Sequence, residues 1–476
     1  MTQRYARIAS LRTPEALRER LGELGLALPC DDAPLPAPDS PLARELPLGE
    51  GAGGPLRAPN RFVVQPMEGW DGTADGRPSE LTVRRWRAFG RSGAGWIWGG
   101  EAVAVRHDGR ANPNQLVIDE TTVDALADLR RQLLEEADAA GVAPVVGLQL
   151  THSGRWSRPE GASRPRLAYR HSLLDRRVDV GPDAVLSDEE LDGLVECFAS
   201  AARLAAQAGF DFVDVKHCHG YLLHEFLSAR AREGRFGGED LASRSALSAA
   251  ILAAVRRAAP GLPVGVRLSV FDHVPHAPDD EGRGAPEAHA LPYREGFGLD
   301  PSDPSRIDLS EPAEMLRALD VAWVNVTASS PYYVPHLQRP ALFPPSDGYE
   351  PPEDPLAGVV RLLQAARDLK RALPDRTVVS SGWTYLQEYV PHVAQACLRE
   401  GWFDAVGLGR MVLSYPELPA DVLAGRTFPR KRICRTFSDC TTAPRNGLVS
   451  GCYPLDPFYR ERPERKTLDA IKRDAP

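Results

Sequence analysis

A chain of 476 residues with 43% hydrophobic side chains carries ample apolar material for a large core, which excludes wholesale disorder. Its net charge of −8 gives no basic face for nucleic acid, and no apolar run approaches the ~20 residues of a membrane span. Seven cysteines behind an N-terminus with no apolar signal-peptide core lead us to expect reduced thiols and a cytoplasmic location.

Residues 1–59 start helix-prone (14–26) and become rich in Pro and Gly, and are read as an N-terminal extension and linker. From Asn60 onward, strand-like apolar segments recur at 62–64, 96–98, 144–150, 212–215, 264–268, 321–326, 377–379 and 405–408. Helical patterns fill most of the gaps, at 123–139, 188–208, 243–259, 312–319, 355–373 and 385–400. Eight strands alternating with helices predict an α/β fold, a TIM (β/α)8 barrel over residues 60–428. A doubly wound open sheet is the alternative. Against it, no G-x-G-x-x-G follows the first strand, and polar residues sit at the ends of many strands. Residues 271–310, with His273, His276 and His289, predict a lid or binding loop after the fifth strand. Residues 429–476 form a polar tail that carries Cys434, Cys440 and Cys452.

The densest chemistry lies in FVDVKHCHGYLLHEFLS (212–228). A short apolar strand ends in Lys216, His217 and His219, followed by Gly220 and Tyr221, and the chain then resumes as an amphipathic helix. Proton-carrying side chains where a buried parallel strand ends are the sequence signature of a barrel active site.

Several ordered motifs share one likeness: NRFVVQPM (60–67), GEAVAV (100–105), QLTHSGR (149–155), HCHGYLLHEFLS (217–228), RFGG (235–238), VGVRLS (264–269), SSGW (380–383) and GLGR (407–410). Their order and their placement at successive strand ends resemble the flavin-dependent Old Yellow Enzyme class, the NADH:flavin oxidoreductases. Within it they look most like the branch that contains 2,4-dienoyl-CoA reductases. The resemblance spans about residues 60–425. It implies FMN held noncovalently at the C-terminal mouth of the barrel, NAD(P)H as electron donor and a small-molecule substrate, and it admits homo-oligomers.

Carried over residue by residue, Gln149 resembles the glutamine that pairs with the flavin pyrimidine edge, and Arg267 the arginine beside N1. Pro66, Met67 and Glu68 align with the segment under the ring, and Ala102 with the small residue that lets it lie flat. Gly382, Gly409 and Arg410 match the phosphate cradle. Lys216 and His219 fall on the pair that polarises a substrate carbonyl, and Tyr221 on the tyrosine that protonates the α-carbon. The expected activity is NAD(P)H-driven reduction of an activated C=C bond. The alternatives are a dehydrogenase or oxidase acting on an amine or reduced ring, or a flavin-binding protein with little turnover.

Three departures from the family pattern stand out. Lys216 occupies a position where histidine is usual, which predicts an anionic or strongly polarised substrate; the other reading pairs it with Glu68. Glu68 replaces a small or neutral residue, so the two are expected to form one compensated change, whereas His217 is expected to pack against neighbouring structure. The tail reads Cys434-x5-Cys440-x11-Cys452 and lacks the tight pair of the branch's four iron–sulfur ligands, with Thr436 and Phe437 near the missing one. A lost cluster with a retained loop is the favoured reading, with Asp439 as the residue that could complete a set. The branch's FAD- and NAD-binding domains do not follow within this chain, so NAD(P)H is expected to reduce FMN directly.

Overall fold

Eight buried parallel strands form the centre of the molecule in the computed structural model, which describes residues 5–474. They are β1 Phe62–Val64, β2 Trp96–Ile97, β3 Val145–Thr151, β4 Phe212–Val215, β5 Val264–Ser269, β6 Trp323–Thr327, β7 Thr377–Ser380 and β8 Ala405–Leu408. Each pairs in parallel with its sequence neighbours, β8 pairs with β1, and β2 pairs with β3, so the sheet closes into a barrel. All seven residues of β3 and all six of β5 are buried. Strands covered on both faces account for continuous apolar runs in place of alternation. A short additional strand, Ala102–Ala104, pairs with the outer end of β3.

Amphipathic helices form the outer ring. Asp188–Gln207 begins with a reciprocal capping box, in which the Ser187 hydroxyl accepts from the Glu190 N–H and Glu190 accepts from the Ser187 N–H. It buries Leu191, Leu194, Val195, Phe198, Ala202 and Ala205, the i, i+3, i+4 stripe of a helix laid on a core.

The floor of the barrel is aromatic. Trp96, Trp98, Phe212 and Trp323 pack at centroid distances of 4.7–5.7 Å. The segment expected to be a linker closes this end. Its antiparallel hairpin, Leu46–Gly51 with Gly54–Ala58, inserts Leu46, Leu48 and Ala58 among the same rings. The Trp323 indole donates to the Leu48 carbonyl at 3.1 Å.

The opposite end carries the long loops. Residues 271–310 fold into two small hairpins, His276–Pro278 with Gly284–Pro286 and Leu299–Asp300 with Asp303–Ile307. The tail packs over the same end, with helices at Asp439–Arg445 and Glu464–Asp474. Among the described residues, no helix is long and apolar enough to cross a membrane.

Candidate active site

A polar layer sits above the aromatic floor. Gln65 and Asn325 exchange side-chain hydrogen bonds of 2.9 and 2.6 Å across the barrel. Asp214 accepts from the Gln149 amide at 2.5 Å and from the Arg267 backbone N–H at 2.7 Å. Burial lifts the Asp214 carboxyl to about 6, against the pull of these donors. This layer aims Gln149 and Arg267 at a cavity of about 240 Å³ in the C-terminal mouth.

Every flavin- and substrate-site residue expected from the resemblance lines that cavity: Pro66, Met67, Glu68, Ala102, Gln149, Lys216, His219, Tyr221, Arg267, Gly382, Gly409 and Arg410. His217 is fully buried elsewhere. Its Nδ1 lies 2.8 Å from the Val215 carbonyl oxygen and its Nε2 2.7 Å from the Ser248 hydroxyl, so it ties β4 to the helix Leu241–Ala258.

One end of the cavity is strongly cationic. Gly382 adopts a left-handed conformation, φ +96°, where β7 turns into the next helical segment, a geometry that favours glycine. Beside it, a Cβ on Gly409 would meet nothing within 4 Å. Arg410 Nη1 and Arg339 Nη2 are buried with no hydrogen-bond partner. Burial and the neighbouring Arg445 and Arg410 push the Arg339 guanidinium down to about 9. An anion seated among these groups would relieve both the repulsion and the unmet donors. Arg267 contributes a third unpaired buried donor, Nε, from the floor.

The other end holds the proton-bearing groups. Lys216 Nζ donates to Glu68 Oε1 at 3.0 Å, and the Tyr221 hydroxyl lies 2.9 Å from both Glu68 oxygens. The Trp70 indole donates to Glu68 Oε2 at 3.0 Å. Lys216 Nζ also sits 3.6 Å from the centroid of the Tyr221 ring, within cation–π range. Burial and the Glu68 charge push the Tyr221 phenol well above its ordinary value. Lys216 thus pairs with Glu68, the contact that one of the two sequence readings expected.

His219 takes a left-handed backbone, φ +65°, fixed by Ser269, whose hydroxyl accepts its N–H, and by Ser330, whose hydroxyl donates to its carbonyl. Gln338 Nε2 lies 3.1 Å from His219 Nε2; with the amide donating, the imidazole proton sits on Nδ1. Burial and the charges of Arg267 and Lys216 keep this ring neutral, with its pKa well below 6.5.

The turn that carries Glu68 is held rigidly. Trp70 has φ +52°, a costly conformation for a bulky side chain, about 1–3 kcal/mol. Behind it, Arg85 forks onto Asp71 at 2.6 and 2.7 Å and also bonds Glu101, while Glu101 accepts the Gly69 N–H at 3.1 Å. A Cβ on Gly69 would lie 1.9 Å from Arg85 Nη2, so only glycine admits this contact.

Sequence reasoning missed Arg339, Gln338, Trp70 and Tyr332. All lie beyond the strand ends, Gln338 as the last residue of the short helix Pro335–Gln338 and the others in loops, and the one local cue was the polar–aromatic run Ser329–Tyr333 after β6. Tyr332 stacks on Trp156 at 4.4 Å and marks the junction between the cavity and an outer cleft of about 1600 Å³.

The tail roofs the cavity through Cys440, Thr441, Pro444, Arg445 and Ser450. Burial holds Cys434, Cys440 and Cys452 as thiols, with Cys434 pushed up to about 11. Asp439 is paired with Lys472 at 2.7 Å. Among the described residues, no group of three His, Cys, Asp or Glu side chains is arranged to hold a metal ion.

Comparison with known proteins agrees with the barrel fold. The model of the NADH:flavin oxidoreductase / NADH oxidase family matches residues 54–290. A metal reductase of Desulforamulus reducens is 25% identical over 414 residues, 86% of this chain and 51% of that protein. An NADPH dehydrogenase of a Geobacillus species is 32% identical over 227 residues, 45% of this chain and 61% of that one. The chain thus spans about half to three-fifths of the length of these relatives. In fold it resembles a 2-naphthoyl-CoA reductase in complex with 2-naphthoyl-CoA (TM-score 0.66, 18% identity, 88% of this chain and 57% of that one). Morphinone reductase superposes with a TM-score of 0.54 at 21% identity, over 82% of this chain and 91% of that one. Over residues 54–290, which hold the first five strands of the barrel, the chain matches the NADH:flavin oxidoreductase / NADH oxidase family.

Proposed function

We propose that the protein is an FMN-dependent oxidoreductase that uses NAD(P)H to reduce an activated, carbonyl-bearing C=C bond. The observation that carries this reading is a single cavity with unpaired guanidinium donors at one end and a neutral histidine with a tyrosine at the other. The residues fit the cofactor on their own chemistry. Arg339 and Arg410 would hold the phosphate, with Gly409 leaving room for it; Gln149 would meet the pyrimidine edge; Arg267 would stand beside the ring nitrogen that becomes negative on reduction. Bound FMN supplies hydride at N5.

The remaining chemistry falls to the chain. His219 polarises the substrate carbonyl as a neutral donor, which requires its proton to face the ligand. Gln338 and Thr327, at 3.1 and 3.3 Å from Nε2, set its orientation. Tyr221 gives the α-carbon its proton, a positioned acid step of the kind that contributes roughly 10²–10⁴-fold. Trp156 and Tyr332 wall the entrance and limit water at the reacting carbons.

The test is anaerobic. Reduction of the FMN-loaded protein by NADPH and by NADH is followed from loss of yellow colour, and the reduced protein is then mixed with a panel of enones. Bleaching by a nicotinamide and recovery with an enone is the expected result. Bleaching only by an amine or a reduced ring would instead make it a dehydrogenase, and no colour in any condition would remove the cofactor itself.

A further inference from the structure

We propose that Glu68 is a proton carrier between Lys216 and Tyr221, so that the site delivers its carbon-bound proton through a three-residue relay. The inference rests on the ene-reduction reading above and says how Tyr221 is resupplied.

Three independent features converge on Glu68. Its Oε1 is within hydrogen-bond reach of both Lys216 Nζ (3.0 Å) and Tyr221 Oη (2.9 Å), so one oxygen can receive a proton from the first and pass it to the second. The turn bearing it is strained at Trp70 and braced by the buried Asp71–Arg85–Glu101 network, a construction out of proportion to an exposed loop. Strain of this kind persists where the surroundings over-determine it, and it concentrates at functional sites. Finally, the Lys216 and Glu68 side chains are 5% and 12% exposed. At that burial a lysine serving only as counter-charge would be a weak gain, since desolvation offsets most of a buried pair's attraction.

The step balances. When the substrate β-carbon has received hydride, its enolate pair takes the Tyr221 hydroxyl proton to form the α C–H bond. Tyr221 Oη takes a proton from Glu68, and Glu68 takes one from Lys216 Nζ. The site ends with neutral Tyr221, a Glu68 carboxylate and a Lys216 amine, and a proton from water restores the ammonium before the next turnover. Glu68 and Lys216 act through Tyr221 and are positioning residues; Tyr221 alone meets the reacting carbon.

The test compares FMN-loaded wild type, Glu68→Gln and Lys216→Arg. Each is followed anaerobically through repeated turnovers with excess NAD(P)H, so that Tyr221 must be reprotonated each time, with reoxidation either by an activated alkene such as 2-cyclohexenone or by a quinone, whose product carries its new protons on oxygen. Arginine keeps the positive charge but does not give up its proton. The relay predicts that the ratio of alkene to quinone reoxidation rates falls about 100-fold in both variants. A second readout needs no turnover: the phenolate absorbance of Tyr221, isolated by subtracting the matching Tyr221→Phe protein, should appear at lower pH in Glu68→Gln than in wild type. A Lys216→Arg protein with the wild-type ratio, or an unmoved Tyr221 titration, overturns the relay alone. Wild type inert toward every alkene overturns the ene-reduction reading, and the relay with it.

Discussion

At the scale of single residues, the cavity is defined by donors that the fold leaves unmet. Arg410 Nη1, Arg339 Nη2 and Arg267 Nε have no protein partner, and hydrogen bonds from charged groups are worth about 1.5–3 kcal/mol each. Arg410→Met is expected to weaken FMN binding about 10- to 100-fold in a fluorescence titration. Gly409→Ala is expected to weaken FMN binding while leaving the melting temperature of the flavin-free protein unchanged, because the added methyl meets open space. Arg85 behaves in the opposite way. Arg85→Met strands two buried carboxylates, Asp71 and Glu101, and is expected to cost about 3–5 kcal/mol in urea unfolding. Residues such as Arg267 and Gln149 were legible in the sequence through the family resemblance, each lying in the C-terminal half of a buried strand. Arg339 was not: it stands twelve positions beyond β6, in a loop whose path no periodicity encodes. The Lys216–Glu68 contact was open to inference only as a charge pair, since the two sit 148 positions apart.

Among the elements, the loops after β5 and β6 meet through imidazoles. His273, His276 and His336 lie in sequence at centroid distances of 5.2 and 4.8 Å, and His336 Nδ1 is 2.8 Å from the Tyr349 hydroxyl. Burial lowers His276 to about 4 and His336 to about 2. For His276 the unfolded chain, near 6.5, binds a proton that the folded one refuses. Stability is therefore complete above pH ~6.5 and falls as the pH drops toward 4, by up to about 3 kcal/mol. Urea midpoints measured from pH 7 to 4.5 should decline in wild type and decline less in His276→Phe. An identical slope in the variant would remove His276 as the cause. The sequence marked 271–310 as a functional loop, but its hairpins have strands of two to five residues, too short to leave an alternating pattern. The barrel strands, in contrast, were read almost to their ends, because burial on both faces makes each predominantly apolar.

For the molecule as a whole, the two ends of one barrel divide the labour. The N-terminal end is an aromatic core, and the hairpin of residues 46–58 seals it; composition alone made that stretch look like a linker, because Gly and Pro shape its turns while its few leucines do the packing. Leu48→Ala is expected to cost about 2–5 kcal/mol, measured by urea unfolding. The C-terminal end is polar, strained and roofed by the tail, and on the present account it holds a flavin by its phosphate. Titration of flavin-free protein with FMN and with riboflavin, followed by quenching of flavin fluorescence, tests that claim most directly. The account predicts that FMN binds at least about 100-fold more tightly than riboflavin, with the gap collapsing in Arg410→Met. Equal affinity for the two flavins, or no quenching by either, would contradict it.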